Sequence, residues 1–399
     1  MKQYSRYFDY CLEANTILLI FAFPHNLYWF NKFWEILLGT WIMKKLLMRE
    51  GIALPPMSRL LLAFIMTGVL SALYSGGLQN TGPLRYLIKG CALSVVIHDL
   101  LSCDQDRAER ILNCFVMCTV AVGLYGIYEV LFVKGISFRA QAFFGNTFHL
   151  SLWTGIGLFI SMVRLDSESS KVNLAIYYVT AAILGAAFLL SKSRGPLLAM
   201  GTVLLIVLLN SINKRKMLKT AIIFGVLVAA VFAIDDDLRG RVLSIGDDKT
   251  HLRWTIWKQS LMLIKEKFSV INWLIGKGPG LFKYEYPYYD HINQNWTFPH
   301  LMPLELFYTF GLLGSILLGL WICKLLGALR CIINPYLRHI ALLPFLVLLI
   351  CFVNESFFSR YFSFPFWFFV GASLALLNNS GNRDDSEAYP KSYHPVETR

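Results

Sequence analysis

The sequence predicts an all-α polytopic membrane protein of about twelve transmembrane helices, with one large extracytoplasmic loop that carries short helices of its own. Three observations predict this class. Of 399 residues, 56% are hydrophobic and only 16% are charged, where a soluble domain carries about 25% charged residues. The apolar residues fall in runs that approach the roughly 20 needed to cross a bilayer core about 30 Å thick. No water reaches that core, so each crossing must satisfy its own backbone amides, which a helix does within one segment.

Taken in order, the runs lie near residues 13–28, 29–48, 58–76, 84–103, 108–132, 146–165, 172–191, 195–212 and 217–234, which makes residues 1–234 a first block of nine spans. The first two are interrupted by Pro24, His25 and Asn26, and are either a tight hairpin or one bent unit. A long polar loop follows at 235–302. Three more spans, near 303–327, 335–354 and 360–378, complete the bundle. The tail, 379–399, is polar and poor in apolar residues, the composition of a disordered segment. The polar start, Met1 to Ala14, lacks a small-residue cleavage site after the first apolar run, so the first helix reads as retained. No internal repeat is evident, which weighs against a transporter built from duplicated halves.

Orientation follows from Lys and Arg in the short loops. One set carries clusters such as Lys44-Lys45 with Arg49, and Lys214-Arg215-Lys216 with Lys219; the alternate set holds only Arg85, Lys134, Arg139, Lys192, Arg194 and Arg360. The richer side is expected in the cytoplasm, with both termini. The net charge of +12 is thus a membrane-orientation signal, and nucleic acid is not an expected partner. The eight cysteines lie in or beside apolar spans with no CxxC pair, as packing residues do.

The 235–302 loop is no bland linker. It opens on Asp235, Asp236 and Asp237. A helix is expected over 249–267, with Trp254, Trp257, Leu261 and Ile264 on one stripe, fit to lie on the membrane surface or to pack on the bundle. Gly276-Lys277-Gly278-Pro279-Gly280 follows. It lacks the preceding strand of a dinucleotide fingerprint and reads as a flexible turn near the substrate. Tyr284, Tyr286, Tyr288, Tyr289 and Trp296 suit either sugar faces or the membrane interface.

Three basic or titratable positions share the loop's side of the membrane. Arg194 sits in the turn between spans seven and eight, with Lys192 beside it. Arg253 starts the loop helix, and His300 precedes span ten, with Glu305 one turn on. A guanidinium presents a planar fork of donors to phosphate oxygens and offsets charge on a phosphate leaving group. An imidazole titrates near neutrality and can take a proton from an attacking hydroxyl. The competing reading is that the arginines anchor span ends and the histidine is structural. Glu35, Asp99, Glu129 and Glu355 are costly in lipid and are expected to face the bundle interior, without an order that suggests an ion path.

Pro299-His300-Leu301-Met302-Pro303-Leu304-Glu305, followed by Gly311-Leu312-Leu313-Gly314, resembles the signature of the O-antigen ligase/polymerase superfamily. There a histidine is followed five residues later by Glu and about eleven and fourteen later by Gly. Leu301 stands where the family often has Asn. Ser191-Lys192-Ser193-Arg194-Gly195 is similar to the family's Ser-Arg-Gly turn. Arg253 to Trp257, then Gly276 to Phe282, resembles its Arg-x-x-x-Trp and Gly-x-Gly-x-Gly-x-Phe. The resemblance implies about twelve helices with a large periplasmic loop in a bacterial inner membrane. It also implies transfer, without metal or cofactor, of a glycan from undecaprenyl pyrophosphate. The acceptor is a lipid A–core sugar in the ligases and a growing lipid-linked glycan in the polymerases. It makes His300 the base and gives the pyrophosphate to Arg194 and Arg253, with Glu305, Lys192 and Gly278 in support. The ligase is the favoured reading, then the polymerase; a polysaccharide or lipid transporter is the reading from another class.

Overall fold

Long apolar runs broken by Asn, Asp, Pro and Gly set where helices start and stop. The computed structural model describes residues 2–52, 54–55, 57–75, 82–102, 104–135, 138–168, 170–210, 214–234, 239–240, 253–286, 297–330, 332, 334–353 and 355–381. Asp235, Asp236, Asp237, the first part of the expected loop helix (249–252), Tyr288, Tyr289, Trp296 and the tail beyond 381 lie outside the described residues.

The first nine helices are α1 Lys2–His25, α2 Leu27–Met48, α3 Ser58–Tyr74, α4 Gly82–Leu101, α5 Gln105–Tyr128, α6 Thr147–Ser167, α7 Lys171–Leu190, α8 Arg194–Asn210 and α9 Lys214–Ile234. The loop region contributes α10 Arg253–Lys267, α11 Val270–Ile275 and α12 Phe282–Glu285. Then come α13 Met302–Leu329, α14 Pro335–Ile340, α15 Leu343–Cys351 and α16 Arg360–Gly381. No strand occurs among the described residues. Among the described residues, five helical stretches are long and apolar enough to cross a membrane: Asp106–Lys134, Thr147–Ser167, Lys171–Leu190, Met302–Leu329 and Arg360–Asn378. Shorter apolar helices at Ser58–Tyr74, Arg194–Leu209 and Pro335–Cys351 accompany them. The chain is therefore all-helical and multi-pass in character.

Local chemistry explains the breaks. Asn26 ends α1 and caps α2, its Oδ1 accepting from the Tyr28 amide at 2.8 Å; such a cap contributes about 1 kcal/mol. Since α1 and α2 pack on each other, the Pro24-His25-Asn26 break makes a hairpin rather than a bend. The expected span 335–354 is two helices, because Pro344 has no amide to continue α14 through Ala341 and Leu342. Past its last α-turn, α5 continues as a π-helical turn, Glu129–Lys134.

The centre of the bundle is α6. Of its apolar stretch, 94% is buried, against 28% for α7 and α13, so other helices enclose α6, as they do α16 at 83%. Its hydroxyls are satisfied within the helix: Thr154 Oγ1 donates to the Leu150 carbonyl at 2.8 Å and Ser161 Oγ to Gly157 at 2.8 Å. Gly157 admits α5 closely, since a Cβ there would lie 2.2 Å from Thr119 Oγ1.

The loop folds as a cap on the start of α13, with a small core of its own: Ile256, Leu263, Ile264, Phe282, Tyr286, Leu304 and Tyr308. The face that α10 buries is Ile256, Ser260, Leu263 and Ile264. The stripe expected from the sequence is only partly right. Trp257 packs on the small core and Ile264 is within it, but Trp254 is 61% exposed and Leu261 57% exposed. The helix therefore packs on the bundle with one face and leaves a second apolar face outward.

Candidate active site

The glycine run is a close-packed joint, not the flexible turn its composition suggests. Gly311 breaks the helical geometry of α13 (φ 62°, ψ −161°), which leaves the carbonyls of Tyr308 and Thr309 without their usual helical partners. The run supplies donors: Lys277 N to Tyr308 O at 2.8 Å and Gly278 N to Thr309 O at 3.0 Å. Ser71 Oγ of α3 also reaches Thr309 O at 3.0 Å. A Cβ at Gly276 would lie 2.2 Å from Thr309 O, and one at Gly278 3.1 Å from Ala72 Cα. The amides of Lys277 and Gly278 are thus engaged within the fold, and Gly278 locks the loop to α3 and α13. Gly314 serves the same joint, since a Cβ there would meet Phe310 at 2.4 Å and Thr67 at 2.8 Å.

His300 lies on the turn that enters α13. Its backbone is left-handed (φ 55°), a conformation that few non-glycine residues adopt. Its ring centroid is 4.1 Å from that of Phe298. The turn is stitched to the segment between α15 and α16. Met302 N donates to Phe352 O at 2.9 Å, Phe357 N donates to Glu305 Oε2 at 2.8 Å, and Ser356 Oγ donates to Glu305 Oε1. Glu305 is buried, and its carboxylate is occupied in holding this turn. It therefore fixes the His300 turn against Glu355 from a distance, as a positioning group.

Burial first, and then the Arg253 guanidinium, push the His300 imidazole down to about 4, with Glu355 pulling the other way. Near neutral pH the ring is uncharged and able to accept a proton. Burial also draws Arg253 below the ordinary range of a guanidinium, which still leaves it charged. The structure thus places His300 within electrostatic reach of Arg253 and of Glu355.

Glu355 has a second histidine. His149, two residues into α6, holds Glu355 Oε2 with its Nε2 at 2.7 Å. Its ring stacks on Tyr361 with centroids 3.5 Å apart, and its Nδ1 has no partner among the described residues. Arg360 lies over the Tyr361 ring at 4.4 Å and donates to its hydroxyl. The sequence did not single out His149, Tyr361 or Arg360 as site residues. A histidine just inside an apolar span was the available signal.

Arg194 is the first residue of α8, and Lys192 precedes it in a left-handed backbone (φ 51°) with its side chain buried. The Ser191 and Lys192 carbonyls accept from Arg139, at 3.3 Å from Nε and 3.4 Å from Nη2, and Ala140 N donates to Leu190 O at 3.0 Å. The 139–149 segment runs from this turn to His149, passing Phe144, whose ring meets that of His149 at 6.3 Å. Arg194 therefore stands at the same end of the bundle, one segment away from the His149–Glu355 pair. Among the described residues, no group of three or more His, Cys, Asp and Glu side chains could hold a metal ion.

No curated protein matches the chain. Residues 179–319, which run from α7 into α13 and include Arg194, Arg253, Gly278, His300 and Glu305, match the family model described as O-antigen ligase.

Proposed function

We propose that the protein transfers a glycan from undecaprenyl pyrophosphate to a sugar hydroxyl of lipid A–core, at the periplasmic face of a bacterial inner membrane that its helices cross about twelve times. One observation carries this reading: a neutral imidazole, His300, lies within electrostatic reach of a guanidinium, Arg253, in a partly buried turn within the segment that matches the family. His300 takes the proton of the acceptor hydroxyl as that oxygen bonds to the anomeric carbon. The bond from that carbon to the diphosphate oxygen breaks, the diphosphate leaves with the electron pair, and the configuration inverts. Arg253 and Arg194 donate to the phosphate oxygens and offset the charge of the leaving group. The bound diphosphate raises the proton affinity of His300 at the moment a base is needed. Glu355, between His149 and His300, stabilises the imidazolium that results.

A polymerase would use the same chemistry on a lipid-linked repeat unit. The family description favours the ligase. A strain lacking the gene should carry uncapped core and accumulate lipid-linked glycan; core bearing a single repeat unit would identify a polymerase instead. For the transporter reading, two of the acidic residues in or near spans are instead bound to lysines, Asp99 to Lys45 at 2.8 Å and Glu129 to Lys134 at 2.7 Å. In a reconstituted assay, Arg194→Lys keeps the charge and loses the fork. Turnover should fall roughly tenfold or more, the worth of one charge-assisted hydrogen bond or more. Turnover equal to wild type would reject the phosphate clamp.

A further inference from the structure

A small, open-sided groove lies between the N-terminal halves of α2, α4 and α16. Asn31, Trp34, Tyr86, Lys89, Arg360 and Phe364 line it. Its two cations bond and stack on neutral groups, although Arg85 and Glu35 also act on Lys89 through space. Lys89 Nζ bonds Asn31 Oδ1 at 3.3 Å and sits 4.8 Å from the Trp34 ring centroid; Arg360 bonds the Tyr361 hydroxyl and covers its ring. The nearby Glu35 carboxylate is bound to Lys32 at 3.2 Å. Two charges in a half-enclosed aromatic cleft, with no carboxylate in contact among the described residues, are suited to a bound anion. The cleft wall is rigid, since a Cβ at Gly90 would lie 2.0 Å from Trp367 Cδ1. Tyr28 and Trp29 are exposed at the start of α2, where aromatic rings mark the membrane–water interface.

The groove is also separate from the Arg194 turn. Arg194 starts α8, which packs on α15, α6 and α9 rather than on the groove helices. Yet it borders the His300 side of the site. Arg360 holds Tyr361, Tyr361 stacks on His149, and His149 binds Glu355 next to His300. Lys89 and Arg360 lie outside the segment that matches the family.

We infer that this groove is the acceptor subsite, in which Lys89 and Arg360 take a phosphate group of the glycolipid acceptor while its sugar reaches His300. The inference rests on the proposed glycosyl transfer. It is tested with the full-length protein in nanodiscs, using purified lipid A–core and the same glycolipid stripped of phosphate as the two probes. Wild type should bind the phosphorylated probe roughly tenfold more tightly, the worth of one charge-assisted hydrogen bond. Lys89→Gln and Arg360→Gln should each lose that preference, and Lys89→Arg should keep it. In the transfer assay, Lys89→Gln should raise KM for the acceptor and leave kcat and the donor KM unchanged. Equal binding of the two probes by wild type, or wild-type preference in both Gln variants, overturns the subsite. Lost preference with an unchanged acceptor KM makes the groove a lipid site unrelated to the acceptor. Selective binding without any glycan transfer by wild type removes the transferase reading, and the acceptor assignment with it.

Discussion

The two ends of the helix bundle handle their arginines differently. At the end away from the loop, cations close on carboxylates. Lys44 binds Asp9 at 2.7 Å, Lys45 binds Asp99 at 2.8 Å and Arg164 binds Glu109 at 3.0 Å. Arg110 grips both oxygens of Glu13, at 2.7 and 3.0 Å, and Arg107 reaches the same carboxylate at 3.3 Å. The loop end has ion pairs too, Lys277 with Glu285 and Lys134 with Glu129, each at 2.7 Å, but there Arg253 lies within electrostatic reach of an imidazole, Arg139 faces backbone carbonyls, and Lys89 and Arg360 face aromatic rings. A charge matched inside the fold contributes to architecture. A charge held against neutral groups keeps its field for an anionic ligand, such as the proposed lipid diphosphate.

Two substitutions test that division. The largest effect is expected at the loop end. His300→Ala removes the base, and a general base contributes about 10²- to 10⁴-fold in rate. Glycan transfer should fall by that order, while expression and thermal stability stay near wild type. Normal glycan ladders from the variant would reject His300 as the base. The reverse pattern is expected for Glu13→Ala, which strips Arg107 and Arg110 of their shared carboxylate. Arg107 keeps Asp9 and Asp104 within 3.8 Å, and Arg110, half exposed, keeps Asp104 at 3.7 Å, so the cost should fall below the roughly 3–5 kcal/mol of a fully orphaned buried charge. The melting temperature should drop, with turnover per folded molecule preserved. Loss of turnover without loss of stability would mean that the two ends are not divided as described.

Much of this contrast was legible in the sequence, because it rests on local patterns. Hydropathy runs marked the helices, since a segment in lipid must bury its own amides. Arg253 and His300 were legible as chemistry because a fork of donors and a neutral-range base are unusual at span ends. What the sequence hid was mutual placement. Glu355 looked like one more acid near a span, and only the fold brings it to His149 across 206 positions of chain. Gly278 looked flexible because composition cannot report that its amide would be claimed by Thr309. The α10 stripe was misread for a related reason. Trp254 and Leu261 are as apolar as Ile256 and Leu263, and the partner surface on α13, not periodicity, decides which face is buried.

The smallest expected effect is the sharpest probe of how Arg253 acts on His300. The imidazole is held at about 4, against an ordinary 6.5, first by burial and then by the guanidinium. A base must be neutral, so kcat/KM should persist as pH falls through 6.5 and give way only near 4. Stability should follow the same shift. Between those values the unfolded chain holds the proton and the folded chain does not, so stability rises with pH across that window and gains nothing more from this group above it. Arg253→Gln removes the charge that opposes protonation. The His300 pKa should rise, and the acid limb of kcat/KM should move to higher pH, on top of a fall in rate from the lost phosphate contact. A limb left at its wild-type position would show that the guanidinium does not reach this imidazole, and the pairing on which the active-site reading rests would fail.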